Sequence, residues 1–252
     1  MQLTSAIIRS LNRPTVYKPI NLTTYELFGT PCSGKTLLLE RLSTSKRTDI
    51  LTSYNVDSKT DLVLFSSSYL DSRNKIQFLF SLFWLALRHP RVIRTTYLLT
   101  FSFLRVVGFV GLSRPILFNF FLTLSAYLAS SSNGLSKLVL DQGFSMLIYS
   151  ANIRSKRSSS PSRITHFKDV LNKEFLTELN ILNITPPPPS TIYKRLLERR
   201  GSSHLEKLGS PSLTDIQNSL ETASCALEQL RVAGIKIQSV NNTEDINKIL
   251  MN

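Results

Sequence analysis

Apolar positions along this chain fall into short strand-like runs that alternate with helical ones. Tyr25–Phe28 is a strand-like run that meets Gly29, crosses a tight polar loop and enters an apolar helical run at Leu37 that extends to about Thr44. A second strand candidate is Asp49–Tyr54, with Asp61–Phe65 (DLVLF) as its rival or partner. Lys137–Leu140 is a short apolar strand ending in Asp141. Leu179–Ile184 predicts a further strand, and Pro186–Pro189 a rigid corner that cannot pair in a sheet. Ser190 then reads as an N-cap, with a helix through Arg195, Arg199 and Arg200 that Gly201 ends. Leu213–Val232 is amphipathic, Ile235–Val240 a last strand and Thr243–Leu250 a closing helix. Such alternation calls for a parallel sheet covered on both faces.

One stretch breaks the rhythm. Between Ile76 and Ala129 lie aromatic-rich apolar runs, parted by Arg88-His89-Pro90-Arg91, Arg105 and Arg114-Pro115. None reaches the roughly 18 to 20 uninterrupted apolar residues of a spanning helix. Arg88, Arg91 and Arg94 recur every three residues, near one face of a helix. No Asp or Glu occurs between Asp71 and Asp141. Three readings follow: a buried helical subdomain whose arginines cap its edge, an interfacial helix on a membrane, or, ranked last, a transmembrane hairpin. Residues 152–163 (NIRSKRSSSPSR) read as a Ser-rich basic loop, exposed and mobile.

Charge and composition narrow the partners. The 252 residues carry 30 Lys+Arg against 17 Asp+Glu, a net +13 that attracts something anionic. Cys32 and Cys225 are the only cysteines, too few for a disulfide framework, and His89, His166 and His204 are too scattered for a metal site. The N-terminal MQLTSAIIRSLNRP lacks the apolar core of a signal peptide, so a cytoplasmic setting is expected.

The densest chemistry lies in Gly29-Thr30-Pro31-Cys32-Ser33-Gly34-Lys35-Thr36, which fills the pattern G-x-x-x-x-G-K-[ST] between strand and helix. The glycines let the backbone turn so that successive N–H groups converge on a phosphate, and the helix beginning near Gly34 adds its positive dipole end. Lys35 can reach the β- and γ-phosphates, and the Thr36 hydroxyl can ligate Mg²⁺. Asp141, at a strand end, is placed to hold the same ion. Gln142 and Gly143 would lie over the γ-phosphate. Asp71 and Arg73 fall where a phosphate acceptor would sit.

With GTPCSGKT at 29–36, LVLDQG at 138–143, NILNITPPPPSTIYKRLLERRG at 180–201 and AGIKIQSVNNTEDINKIL at 233–250, the chain resembles the nucleoside monophosphate kinase-like branch of P-loop proteins. It is most similar to the thymidylate-kinase-like group and to P-loop kinases associated with bacterial glycan synthesis. The resemblance implies a P-loop kinase fold: α/β, a parallel five-stranded sheet with helices on both faces, and here a helical apolar insertion at 74–132. It implies a lid at 200–212, Arg195 near the adenine and lid base, and Arg199, with Arg200 as fallback, following the transferring phosphoryl group. Asn241-Asn242 would lie near the adenine. Gln142 stands where thymidylate kinases carry an arginine, and the insertion replaces their acceptor-binding helices. A sugar or glycan at a membrane surface is therefore the acceptor expected in place of a nucleotide.

The expected activity is phosphoryl transfer from ATP with Mg²⁺, by Lys35, Asp141 and the lid arginines, with Asp71 as candidate base. The rival is a nucleotide-binding switch that docks on a membrane or a protein through the basic apolar region. A nucleic-acid-binding ATPase ranks last, because the cations lie among Phe-rich runs, away from any polar groove with stacking aromatics.

Overall fold

The computed structural model describes residues 22–30, 32–35, 37–38, 49–50, 62–65, 76, 80, 90–132, 137–156, 159–175, 177–198, 212–241, 245–246 and 249. These form an α/β unit around an all-parallel sheet. The strands are β1 (Leu22–Phe28), β2 (Asp49–Ile50), β3 (Leu62–Phe65), β4 (Lys137–Leu140), β5 (Thr177–Ile184) and β6 (Lys236–Val240). The helices are α1 (Pro90–Gly111), α2 (Arg114–Ser132), α3 (Phe144–Ser155), α4 (Pro161–Phe175), α5 (Pro189–Glu198) and α6 (Leu213–Val232).

The sheet has six strands in the order β2-β3-β4-β1-β5-β6, where five were expected. The difference arises at the edge. Asp49–Ile50 and Leu62–Phe65 are both strands and pair with each other, Asp49 opposite Val63, so neither excludes the other. At the centre, β1 pairs with β4 (Glu26 opposite Leu140) and with β5 (Glu26 opposite Ile181). A strand in that position is covered on both faces, which explains why Leu22, Leu27 and Phe28 are all buried.

Alternate residues of the strands feed two cores. On one face Leu22, Phe28, Leu138, Leu140 and Ile181 pack with α1, α2, α3, α4 and α6. On the other, Leu27, Val139, Leu182 and Ile184 pack with Leu38, which follows the loop after β1, and with Ile246. The first core is dominated by rings. Phe103 stacks on Phe120 at 4.5 Å, and Phe144 meets Phe167 edge-on at 5.0 Å.

Within the described residues 90–132, the apolar insertion holds two helices of different character. Along α2, Phe120, Leu122, Leu124, Ala126, Tyr127 and Leu128 are all buried, so this helix is core nearly all round. By contrast α1 is two-sided: Val92, Leu99, Phe103 and Val106 are buried, while Tyr97, Phe101 and Phe109 are exposed. Gly108, at φ 67°, breaks the helical path near its end.

Two local expectations are corrected. Residues 152–163 are not one exposed loop: α3 runs to Ser155, Lys156 caps it in the left-handed region, and α4 starts at Pro161. The short connection is tied down, because Ser159 Oγ donates to Oδ1 of buried Asn152 at 2.7 Å. Nor does Ser190 cap α5, which begins one residue earlier. Pro189 takes the first helical position, where its missing N–H costs nothing, and the Pro188 carbonyl accepts from Thr191 N and Ile192 N.

Candidate functional site

The site is built where the sheet changes direction. From β1 the chain moves toward β2 at one edge, and from β5 toward β6 at the other, so the loops beyond β1 and β5 leave in opposite senses. Crevices at such points, beyond the carboxyl ends of parallel strands, are where α/β sheets take ligands.

The loop after β1 is wound tightly. Ser33 N donates to Thr30 O at 3.2 Å, Cys32 adopts φ 62°, Gly34 φ 97°, and Leu38 N closes the first helical bond on Gly34 O at 3.0 Å. At Gly29 a Cβ would stand only 2.6 Å from Ser33 Oγ and 3.3 Å from Ser33 Cβ, so the loop folds back closely over that residue and a side chain there would displace Ser33. The hydroxyls of Thr30 and Ser33 are buried with no hydrogen-bond partner. Orphaned donors inside such a turn fit an anion, which would accept from them.

Lys35 opens the helix. Its Nζ donates to the Gly29 carbonyl and stands 3.8 Å from Met146 Sδ, in the first turn of α3. The Lys35 ammonium therefore bridges the loop after β1 and the first turn of α3. Asp141-Gln142-Gly143 link β4 to that helix. Asp141 is buried at the carboxyl end of β4, beside β1, and Thr123 Oγ1 donates to the Gln142 carbonyl at 3.0 Å.

From the other side α5 reaches the same loop. Arg195 Nη1 donates to the Cys32 carbonyl at 2.9 Å. Cys32 itself packs against the small core of Ile192, Leu196 and Ile216. Three segments distant in sequence thus converge: the β1 loop, the β4 end and α5. Asn241, also proposed for the site, follows β6 and accepts from Thr185 Oγ1 at 2.7 Å.

Glu26 is the residue that sequence reasoning missed. It lies in the middle of β1, fully buried, and accepts from Phe144 N and Ser145 N at 2.8 Å each. Burial pushes its carboxyl above the usual range, and the bonds from α3 only partly offset this. It also helps to hold the buried Tyr127 phenol un-ionised, adding a like charge to the effect of burial. A neighbouring buried polar pair, Thr24 Oγ1 and Thr177 Oγ1 at 2.9 Å, ties β1 to β5.

No family model, curated protein or solved structure matches the chain. The reading of the site therefore rests on its own residues. Pro31, Thr36, Asp71, Arg73, Arg199, Arg200 and Asn242 lie outside the described residues, as does the expected lid at 200–212 apart from Ser212. Ser212 caps α6 in a reciprocal pair with Asp215, whose carboxyl the Ser212 hydroxyl and amide hold below its usual range. Among the described residues no group of three or more His, Cys, Asp or Glu side chains is gathered to hold a metal alone.

Proposed function

We propose that this chain binds a nucleoside triphosphate on the loop after β1 and transfers its terminal phosphoryl group to a small acceptor. The observation that carries the reading is the bridge made by Lys35, between the Gly29 carbonyl and the start of α3 just beyond Asp141. A cation held there joins the turn that would cradle the phosphates to the helix that follows the strand-end Asp141, the two parts that P-loop chemistry brings together. The finer fold assignment, a P-loop kinase, is part of the same proposal. The strand order with β1 at the centre supports it.

In this reading the amides of Thr30 and of Cys32 to Lys35 hold the β-phosphate, and Lys35 leaves the Gly29 carbonyl for the phosphate oxygens. Asp141 with Thr36 would hold Mg²⁺, which would supply neutralisation of the phosphate charge. Arg195 stiffens the loop through the Cys32 carbonyl. Arg199 and Arg200 would follow the transferring group, and Asp71 would accept the acceptor's proton. Catalysis of this kind is mainly positioning and electrostatics. A sugar or glycan remains the proposed acceptor.

The test is ADP release from ATP and Mg²⁺ by the purified chain, against nucleosides, nucleotides, sugars and lipid-linked glycans. Stimulation by one acceptor, lost in Lys35→Ala, is the expected result. Tight ATP binding with no acceptor effect would favour a nucleotide switch. Failure of the wild type to bind ATP would remove the proposal.

A further inference from the structure

α1 has one face in the core and one that nothing in the described fold covers. Arg91, Arg94, Tyr97, Phe101, Arg105 and Phe109 follow one another at helical spacing of three or four along the outer side, and all are exposed. Tyr97 stacks on Phe101 with the rings 8° from parallel, and the Arg105 guanidinium lies over the Phe101 ring at 5.3 Å. Just past the Gly108 break, Phe109 and Val110 project with 86% and 67% of their surface exposed. Large side chains so open to water, side by side, mark a surface that something else covers.

Beside the stripe is a cleft of about 430 Å³ between the end of α1 and the start of α4. Phe101, Phe109, Arg105, Arg163 and His166 are among its walls. Arg163 reaches across it, Nη1 donating to the Arg105 carbonyl at 3.1 Å. An apolar floor with cations at the mouth suits an amphiphile with an anionic head.

We propose that the outer face of α1, with this cleft, docks on an anionic lipid surface, and that a lipid phosphate seats between Arg105 and Arg163. Charge decides for lipid over a protein partner. Residues 72–140 contain no Asp or Glu, so the stripe presents arginines without any carboxylate of its own helix to orient an acidic counterpart. The next carboxylate along α4, Asp169, stands a turn beyond His166. Aromatic side chains among arginines are the chemistry of a helix lying in the headgroup layer, rings inward and guanidinium groups at the phosphates. By length and composition Arg91–Gly111 could also cross a bilayer. Its inner face, however, packs on α3 and α4, so in this fold it lies along a surface. Lipid docking stands independently of nucleotide chemistry at the β1 loop.

The experiment is co-sedimentation of the full chain with vesicles of phosphatidylcholine alone and of phosphatidylcholine mixed with phosphatidylserine. Binding is expected to the mixed vesicles only. It should fall by about tenfold or more in Arg105→Ala/Arg163→Ala, and fall again in Phe109→Ser, which alters a side chain without core contacts. Arg231→Ala, a charge loss on α6, should leave it unchanged, and circular dichroism confirms that each variant is folded. Equal binding to both vesicle types overturns the proposal, as does full binding by the stripe variants. Binding to duplex DNA through the same residues, with none to vesicles, overturns it too.

Discussion

Glu26 of β1 lies so close to Gly143 that a Cβ at 143 would overlap the Glu26 carboxyl group. Both carboxyl oxygens are engaged by the first amides of α3, from Phe144 and Ser145. A buried acid in the central strand therefore satisfies two of the N–H groups that a helix start leaves open. It also fixes where Asp141 and Gln142 leave the sheet, because α3 is held against β1 directly behind them. Gly143, which sequence alone places over a phosphate, owes its identity first to this approach.

Substitutions at the pair should couple strongly. Gly143→Ala forces the carboxyl group away and should cost about 2 kcal/mol or more of stability, in the range of overpacking. Glu26→Ala leaves two buried amides unpaired, at about 1 to 3 kcal/mol each. In the double variant the new methyl group fills space that the carboxyl vacates, so the combined loss should be less than the sum. Urea unfolding of the four proteins measures the coupling. Simple additivity would show that the overlap relaxes without strain.

Glu26 should also leave a signature in the pH dependence of stability. Its folded-state pKa is raised above the ordinary 4.5 by burial. Between the two values the unfolded chain has lost the proton and the folded chain keeps it, so stability falls as pH rises through that window. Below the unfolded value the contribution is fully present. Glu26→Gln has no such titration. The stability of the wild type relative to Glu26→Gln should decline from about pH 4.5 upward, read from urea midpoints. A flat difference would mean that the α3 amides hold the carboxylate charged at no cost.

How much of this was legible follows from the kind of signal each residue carries. Gly29, Gly34 and Lys35 stand in a spacing that predicts a tight turn between strand and helix, so the turn was readable from the sequence. Asp141 was readable as the acid closing an apolar run. Glu26 was not, because one acid within Tyr25–Phe28 looks like an outward-facing position on a half-buried strand. The clue was there in principle: alternating strands and helices call for a parallel sheet covered on both faces, and a polar residue in one of its inner strands needs a buried partner. Within the insertion, Phe and Leu are so dense that α2 shows little sidedness, and only its packing identifies it as core. The three-residue spacing of Arg91 and Arg94 did point to the outer face of α1. Residues 152–163 misled because serines signal loops by composition, while the bond from Ser159 to Asn152 depends on a fold that composition does not encode.

Arg195 offers a test that separates loop support from folding. It is exposed, and its described bond goes to a backbone carbonyl of the loop after β1. Arg195→Met keeps the aliphatic stem on α5 and removes the bond. Stability should change by no more than about 0.5 kcal/mol, as for surface changes. ATP affinity should fall by about three- to tenfold, the worth of one hydrogen bond, measured by calorimetry. An unchanged affinity would mean that the loop holds its shape without α5.

Gly34 isolates backbone geometry from contact. Its φ is 97°, and nothing lies within 4 Å of where a Cβ would stand. Gly34→Ala therefore meets no clash, and its whole cost is the conformation, about 1 to 2 kcal/mol. An unliganded chain can relieve that strain by letting the loop relax toward negative φ, at the expense of the turn that aims the amides inward. A phosphate bound to those amides forbids the relaxation. The variant should accordingly lose about 1 kcal/mol or less in urea unfolding without nucleotide, and its stabilisation by saturating ATP should shrink by more than that. Thermal unfolding with and without ATP reads both quantities. If ATP stabilises Gly34→Ala as much as the wild type, the left-handed turn is not part of the binding site.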